Sequence, residues 1–144
     1  MPRALVDTSV LFAAAYRRDS EHTDGLAILR GIDDGTLPEA AVVDYVLAET
    51  LNGLLTHAGH GKAVDFLDRI EENSRFHIER LDGNEFSTAK SLFRQRETLS
   101  FVDACIVAHM RTEGLGYLYA FDDDFDGIDG IYRLDTPTNP YEPE

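Results

Sequence analysis

A chain of 144 residues has room for one well-buried core and is short for two. Its apolar residues, 43% of the total, include no run near the ~20 residues of a membrane span, and its single cysteine, Cys105, excludes an internal disulfide. The 27 acidic against 13 basic residues give a net charge of −14 spread along the whole length, which points to an acidic surface on a folded domain rather than a disordered acidic segment.

The start, Met1-Pro2-Arg3, leads directly into a short apolar strand, Arg3–Val6, with no h-region or cleavage site, so a cytoplasmic rather than exported protein is expected. Asp7-Thr8-Ser9 suits the cap of a following helix, which Asp33-Asp34-Gly35 and Leu37-Pro38 close. Ala40–Val43 reads as the second strand. In the helix after it, Leu47, Leu51, Leu54 and Leu55 form an apolar face, and Glu49 lies roughly opposite that stripe, in solvent by periodicity alone. His57–Gly61 separates this helix from one where Ala63, Phe66, Leu67 and Ile70 recur at helical spacing. Arg75–Glu79 is the third strand, and Phe86, Ala89, Leu92 and Phe93 mark another helix face. Ser100-Phe101-Val102-Asp103 fits a capping box opening an apolar helix that Gly114 ends. Inside that helix Cys105 reads as a small buried hydrophobe and His109 as a satisfied core histidine. Tyr117–Phe121 and Ile131–Leu134 complete the strands. With Pro137, Pro140 and Pro143, the end is an extended tail, so one domain over 1–135 and a tail over 136–144 are expected. Strands alternating with helices mean an α/β fold, a parallel sheet with helices on both faces.

Four carboxylates, Asp7, Glu49, Asp103 and Asp122, sit beside apolar runs, where an unpaired charge is costly. Four of them favour a shared partner, and a divalent cation that prefers oxygen suits four carboxylates best. Open parallel sheets bind ligands beyond the carboxyl ends of their strands. Asp7 and Asp122 stand at such ends, and Asp103 stands near the start of the helix leading into the Tyr117 strand, so the three can converge. The run Asp122-Asp123-Asp124 repels itself and is tolerable in high salt or around a cation. It is not an EF-hand, because Ile128 and Arg133 occupy later ligand positions. His57 and His60 lack the partners of a metal site and read as loop histidines. Taken singly, Asp7 as a helix cap and Asp103 as a capping-box acid remain open alternatives to a metal role.

The order and context of these acids resemble the PIN-domain family of metal-dependent ribonucleases, nearest to the VapC-like toxins of type II toxin–antitoxin pairs. The resemblance covers roughly residues 3–134. It rests on Leu5-Val6-Asp7-Thr8-Ser9-Val10-Leu11, Leu47-Ala48-Glu49, Leu99-Ser100-Phe101-Val102-Asp103-Ala104 and Ala120-Phe121-Asp122-Asp123-Asp124-Phe125. It implies a three-layer sandwich around about five short parallel strands. It also implies that Asp7, Glu49, Asp103 and Asp122, with Asp124 as a further acid, hold one or two Mg²⁺ or Mn²⁺ ions. These would acidify water and screen the phosphodiester for in-line hydrolysis of RNA. Thr8 or Ser9 would orient the first carboxylate. Arg17 and Arg18, and secondarily Arg94 and Arg96, would contact phosphates. A cognate antitoxin and a homodimer are implied as well, while no membrane association is expected from a chain without a long apolar run. Ala120 departs from the family, which often has Thr there, so the fourth ligand is open among Asp122, Asp123 and Asp124. A housekeeping RNA-processing nuclease and a non-catalytic PIN-like binding module are the alternatives.

The scarcity of lysine, only Lys62 and Lys90 among the 13 bases, together with the charge of −14, suits a cytoplasm of molar salt. There the Debye length falls to ~3 Å and self-repulsion is screened. Thermal midpoints are therefore expected to climb between ~0.1 M and ~3 M KCl, and a flat or falling series would mark an ordinary acidic protein.

Overall fold

The computed structural model describes residues 2–142, and each expected strand is present: β1 (Arg3–Val6), β2 (Glu39–Val43), β3 (Phe76–Glu79), β4 (Tyr117–Tyr119) and β5 (Tyr132–Leu134). Six helices connect them: α1 (Thr8–Ala15), α2 (His22–Asp34), α3 (Asp44–Ala58), α4 (His60–Glu72), α5 (Gly83–Gln95) and α6 (Phe101–Glu113). All strand pairs are parallel, in the order β3-β2-β1-β4-β5, with Arg3 opposite Glu39 and Leu5 opposite both Ala41 and Leu118. The result is the expected α/β sandwich.

Continuous apolarity in β1 and β2 has a direct cause. Ala4, Leu5, Val6, Ala40, Ala41, Val42 and Val43 are all fully buried, as central parallel strands covered on both faces must be. The chain winds outward from β1 to β2 and β3, then returns to β4 on the other side of β1. The direction of winding thus reverses between β1 and β4, and a crevice opens beyond their carboxyl ends. Asp7 N–H donates to the Tyr119 carbonyl at 2.9 Å and closes the floor of that crevice.

The segment closed by Gly35 holds two helices, not one. A turn over residues 16–21 separates them, held by Asp19 N–H to Tyr16 O and His22 N–H to Asp19 O, each at 3.1 Å. The two helices then pack so closely that a Cβ on Gly25 would lie 2.9 Å from the Ala14 nitrogen, which only glycine permits. β4 ends at Tyr119, two residues before the expected Phe121, because Ala120 and Phe121 turn into the acidic loop.

Two expected apolar faces are incomplete. Leu54, Ala89 and Leu92 are buried, yet Leu55 is 51% and Phe93 49% exposed. His57 and His60 are the penultimate residue of α3 and the first residue of α4 rather than loop residues, and the His57 ring packs on Phe12 and Tyr16. Cys105 is fully buried, and burial pushes its thiol up to about 11, so it is inert packing.

His109 is buried and satisfied, by charged partners: Nδ1 lies 2.7 Å from Glu85 Oε2 and Nε2 lies 2.6 Å from Glu79 Oε1. Arg3 pairs with the other oxygen of Glu79. The tail is strapped across the end of the sheet. Tyr119 Oη donates to Thr138 O at 2.7 Å, Asn139 Nδ2 to Thr36 O at 3.1 Å, and Tyr141 Oη to Arg3 O at 2.8 Å. Among the described residues no helix is long and apolar enough to cross a membrane.

Candidate metal centre

Asp7 is the N-cap of α1: its Oδ2 accepts from the Ser9 backbone N–H at 3.2 Å and from Ser9 Oγ at 2.6 Å. The same Ser9 hydroxyl accepts from Phe121 N–H at 3.0 Å. Ser9 therefore joins the end of β1 to the loop that carries Asp122. Thr8, the other candidate for orienting the first acid, has an Oγ1 that is buried without a hydrogen-bond partner.

Asp103 is the third residue of α6 and completes the capping box. Its Oδ2 accepts from Ser100 N–H at 3.2 Å, while its own N–H donates to Ser100 Oγ at 3.1 Å. The cap engages one carboxylate oxygen, and Oδ1 has no protein donor among the described residues. The capping and ligand readings are thus compatible, one oxygen for each. Asp122 caps the short 3-10 turn Asp123–Phe125, accepting from Asp124 N–H at 2.9 Å, and fully buried Phe125 anchors that turn in the core.

These elements bring Asp103, Asp122 and Asp124 together, each offering an oxygen within 4.8 Å of the other two. The electrostatics of the group agree. Burial first, then the charge of Asp7, pushes the Asp103 carboxyl up to about 7. Asp7 is raised by burial, with Asp122 adding to it, and Asp124 is raised chiefly by Asp122. No arginine, lysine or histidine pairs with Asp7, Asp103, Asp122 or Asp124 among the described residues. An all-oxygen donor set with surplus negative charge and no counter-ion among the described residues fits a hard divalent cation of the Mg²⁺ or Mn²⁺ kind.

Glu49 is exposed on α3, as the helical wheel requires, and lies outside that trio. Arg17 and Arg18 are exposed just beyond α1, whose eight residues set them ~12 Å along the helix from Asp7. A second group, Glu79, His109 and Glu113, also lies within 4.8 Å, but Arg3 already pairs with Glu79 and, at 3.8 Å, with Glu113. That group is an internal ion network.

The family model described as PIN domain matches residues 4–131. The chain belongs to the PIN-domain family. Among solved structures, this PIN domain is similar to VapC20 of Mycobacterium tuberculosis, a toxin that cleaves the sarcin-ricin loop. The identity is 26% with a TM-score of 0.76, over 89% of this chain and 98% of that one. It is also similar to VapBC2 of Rickettsia felis bound to promoter DNA, at 17% identity and TM-score 0.66 over 92% and 97% of the two chains. DNA-bound VapBC of Salmonella typhimurium gives 14% and 0.67 over 93% and 98%. No curated protein sequence matches it significantly. The resemblance carried by the four acidic segments is thus met at the level of family and fold.

Proposed function

We propose that this PIN domain is a metal-dependent endoribonuclease and the toxin of a type II toxin–antitoxin pair. The observation that carries the reading is the trio of Asp103, Asp122 and Asp124 with Asp7 beside it, an anionic cluster lacking a counter-ion among the described residues. Residues Asp7, Asp103, Asp122 and Asp124 would hold Mg²⁺ or Mn²⁺, with Glu49 completing the set from α3. A divalent ion there supplies neutralisation of the phosphodiester and a lowered pKa for water. The chain's own contribution is positional. Ser9 holds Asp7 and the Phe121 backbone in one arrangement, Ser100 fixes the rotamer of Asp103, and the buried Phe125 ring fixes the turn that presents Asp122 and Asp124. Arg17 and Arg18 supply positive charge for phosphates farther along the substrate.

A protein partner is favoured by an open groove between α2 and α4. Leu26, Leu29, Phe66 and Ile70 floor it, and its rim is of mixed charge: Arg30, Lys62 and Arg69 stand with Asp33, Asp65 and Glu72, and Arg69 pairs with Asp65 at 3.3 Å. A cognate antitoxin segment with an apolar face and charges of both signs would complement that surface, and a homodimer is the assembly proposed for the free toxin.

Purified protein is expected to hydrolyse single-stranded RNA with Mg²⁺ or Mn²⁺, and EDTA to stop it. Assays with structured and unstructured RNA, at low and molar salt, test this directly. Ribonuclease activity undiminished by chelation would overturn the metal assignment. A gene for a short DNA-binding protein immediately upstream would separate a toxin from a housekeeping nuclease.

A further inference from the structure

Helices α1 and α3 leave the carboxyl ends of the neighbouring parallel strands β1 and β2 and pack side by side, running in the same direction. Contacts at their far ends fix the register. Phe12 packs on Gly53, where an added Cβ would lie 3.3 Å from two carbons of the ring. The His57 ring stands 5.7 Å from Phe12 and 5.9 Å from Tyr16, centroid to centroid. Phe12 and Tyr16 are four residues apart, as Gly53 and His57 are, so the two helices advance together turn by turn. One turn back on each, toward the sheet edge, Thr8 stands across from Glu49.

The hydroxyl of Thr8 has no local use. Thr50, Thr56 and Thr112, deeper in their helices, each donate to the carbonyl four residues earlier, at 2.8, 3.1 and 3.2 Å. Thr8 is the first residue of α1 and has no helical turn before it. Its Oγ1 is buried without a partner among the described residues. A buried hydroxyl left unmet destabilises a fold, so keeping one calls for an acceptor that belongs to the functional state. Asp7 does not need it, because Ser9 holds that carboxylate through both its N–H and its Oγ. Glu49 has no such support. It is exposed, lies outside the trio of Asp103, Asp122 and Asp124, and enters no ion pair among the described residues. We propose that Thr8 is the positioning residue for Glu49, its hydroxyl donating to the Glu49 carboxylate and holding it toward a cation bound by the four aspartates. The proposal rests on the metal-dependent reading above and assigns within it a role that Ser9 does not cover.

Valine matches threonine in shape and lacks the donor, so Thr8→Val tests the hydroxyl alone. In EDTA, Thr8→Val should melt at or above the parent, because a methyl replaces an unmet hydroxyl. Mn²⁺ titrations followed by electron paramagnetic resonance, without RNA, read the metal side. Thr8→Val and Glu49→Gln should each weaken Mn²⁺ binding about tenfold, as loss of a group that orients a ligand does. The double variant should bind no more weakly than Glu49→Gln, and Thr8→Ser should keep the parental affinity. Losses that add in the double variant, parental affinity in Thr8→Val, or a serine variant as weak as the valine one would overturn the assignment. So would Thr8→Val melting well below the parent in EDTA, which would make the hydroxyl part of the metal-free fold. The expected coupling in Mn²⁺ binding, without any RNA cleavage, would keep Thr8 in its role and remove the nuclease reading. A parent that binds no Mn²⁺ overturns both.

Discussion

Asp103→Asn is expected to give a folded, inactive protein whose metal-free form melts above the parent at pH 8. The parental carboxyl is held up at about 7 in the fold against 3.8 in the unfolded chain, so the folded state keeps a proton that the unfolded state has released between those values. Stability of the metal-free parent therefore falls as pH rises through that window. Asparagine has no proton to lose, so this fall should be largely absent from the mutant, whose amide oxygen still serves the Ser100 cap. Metal affinity should drop by orders of magnitude, because an amide oxygen is a weaker ligand for a hard cation, and cleavage with it. In the parent, Mn²⁺ affinity should strengthen from pH 5 to 8 as Asp103 ionises. Melting curves in EDTA at both pH values, Mn²⁺ titrations and RNA cleavage on one preparation check each part. A destabilised mutant that still binds metal and cleaves RNA would reduce Asp103 to a helix cap.

The largest stability effect is expected at His109→Ala. His109 bridges Glu79 and Glu85 at 2.6 and 2.7 Å, with the side chains of His109 and Glu85 each 4% exposed. Removing the bridge leaves two carboxylates facing a void. Stripping buried carboxylates of the group they face typically costs about 3–5 kcal/mol, a large share of the ~5–15 kcal/mol that holds a domain. The consequence reaches far, since the network ties α6 to β3 through Glu79, to α5 through Glu85 and to β1 through Arg3. Urea denaturation at neutral pH measures the loss. A change below ~1 kcal/mol would mean that water already screens the network.

What could be read in advance follows from the range of the interactions. β1 and β2 were legible because burial on both faces leaves an unbroken apolar signature. The caps at Asp7 and Ser100–Asp103 were legible because capping is settled within three residues. Gly114 ended α6 as expected, adopting φ of 67°. The break between α1 and α2 was not legible, because residues 16–21 contain neither glycine nor proline and the turn is made by backbone hydrogen bonds. The partners of His109 were hidden for another reason. They lie 24 and 30 residues away, and only the packing of three elements brings them together. Periodicity also assigned Phe86 and Phe93 to one buried face. The fold buries Ala89 and Leu92 between them and leaves Phe93 half exposed, which turns a packing residue into a surface one. At the carboxylates, the sequence supplied candidates and their order, and the fold selected the trio around Asp103 through the turn that lifts Asp124 beside Asp122.

The strap of residues 136–142 gives the molecule two handles of unequal mechanical strength. A force drawing the chain from its far end meets, in turn, isolated side-chain hydrogen bonds at Tyr141, Asn139 and Tyr119, then the edge strand β5 with a single ladder, and only afterwards β4. It peels the sheet from the margin inward in small steps. A force applied at Arg3 engages β1 at once, gripped by β2 on one side and β4 on the other, so two ladders must yield together. A processive unfoldase would therefore find this PIN domain far easier to dismantle from behind than from the front.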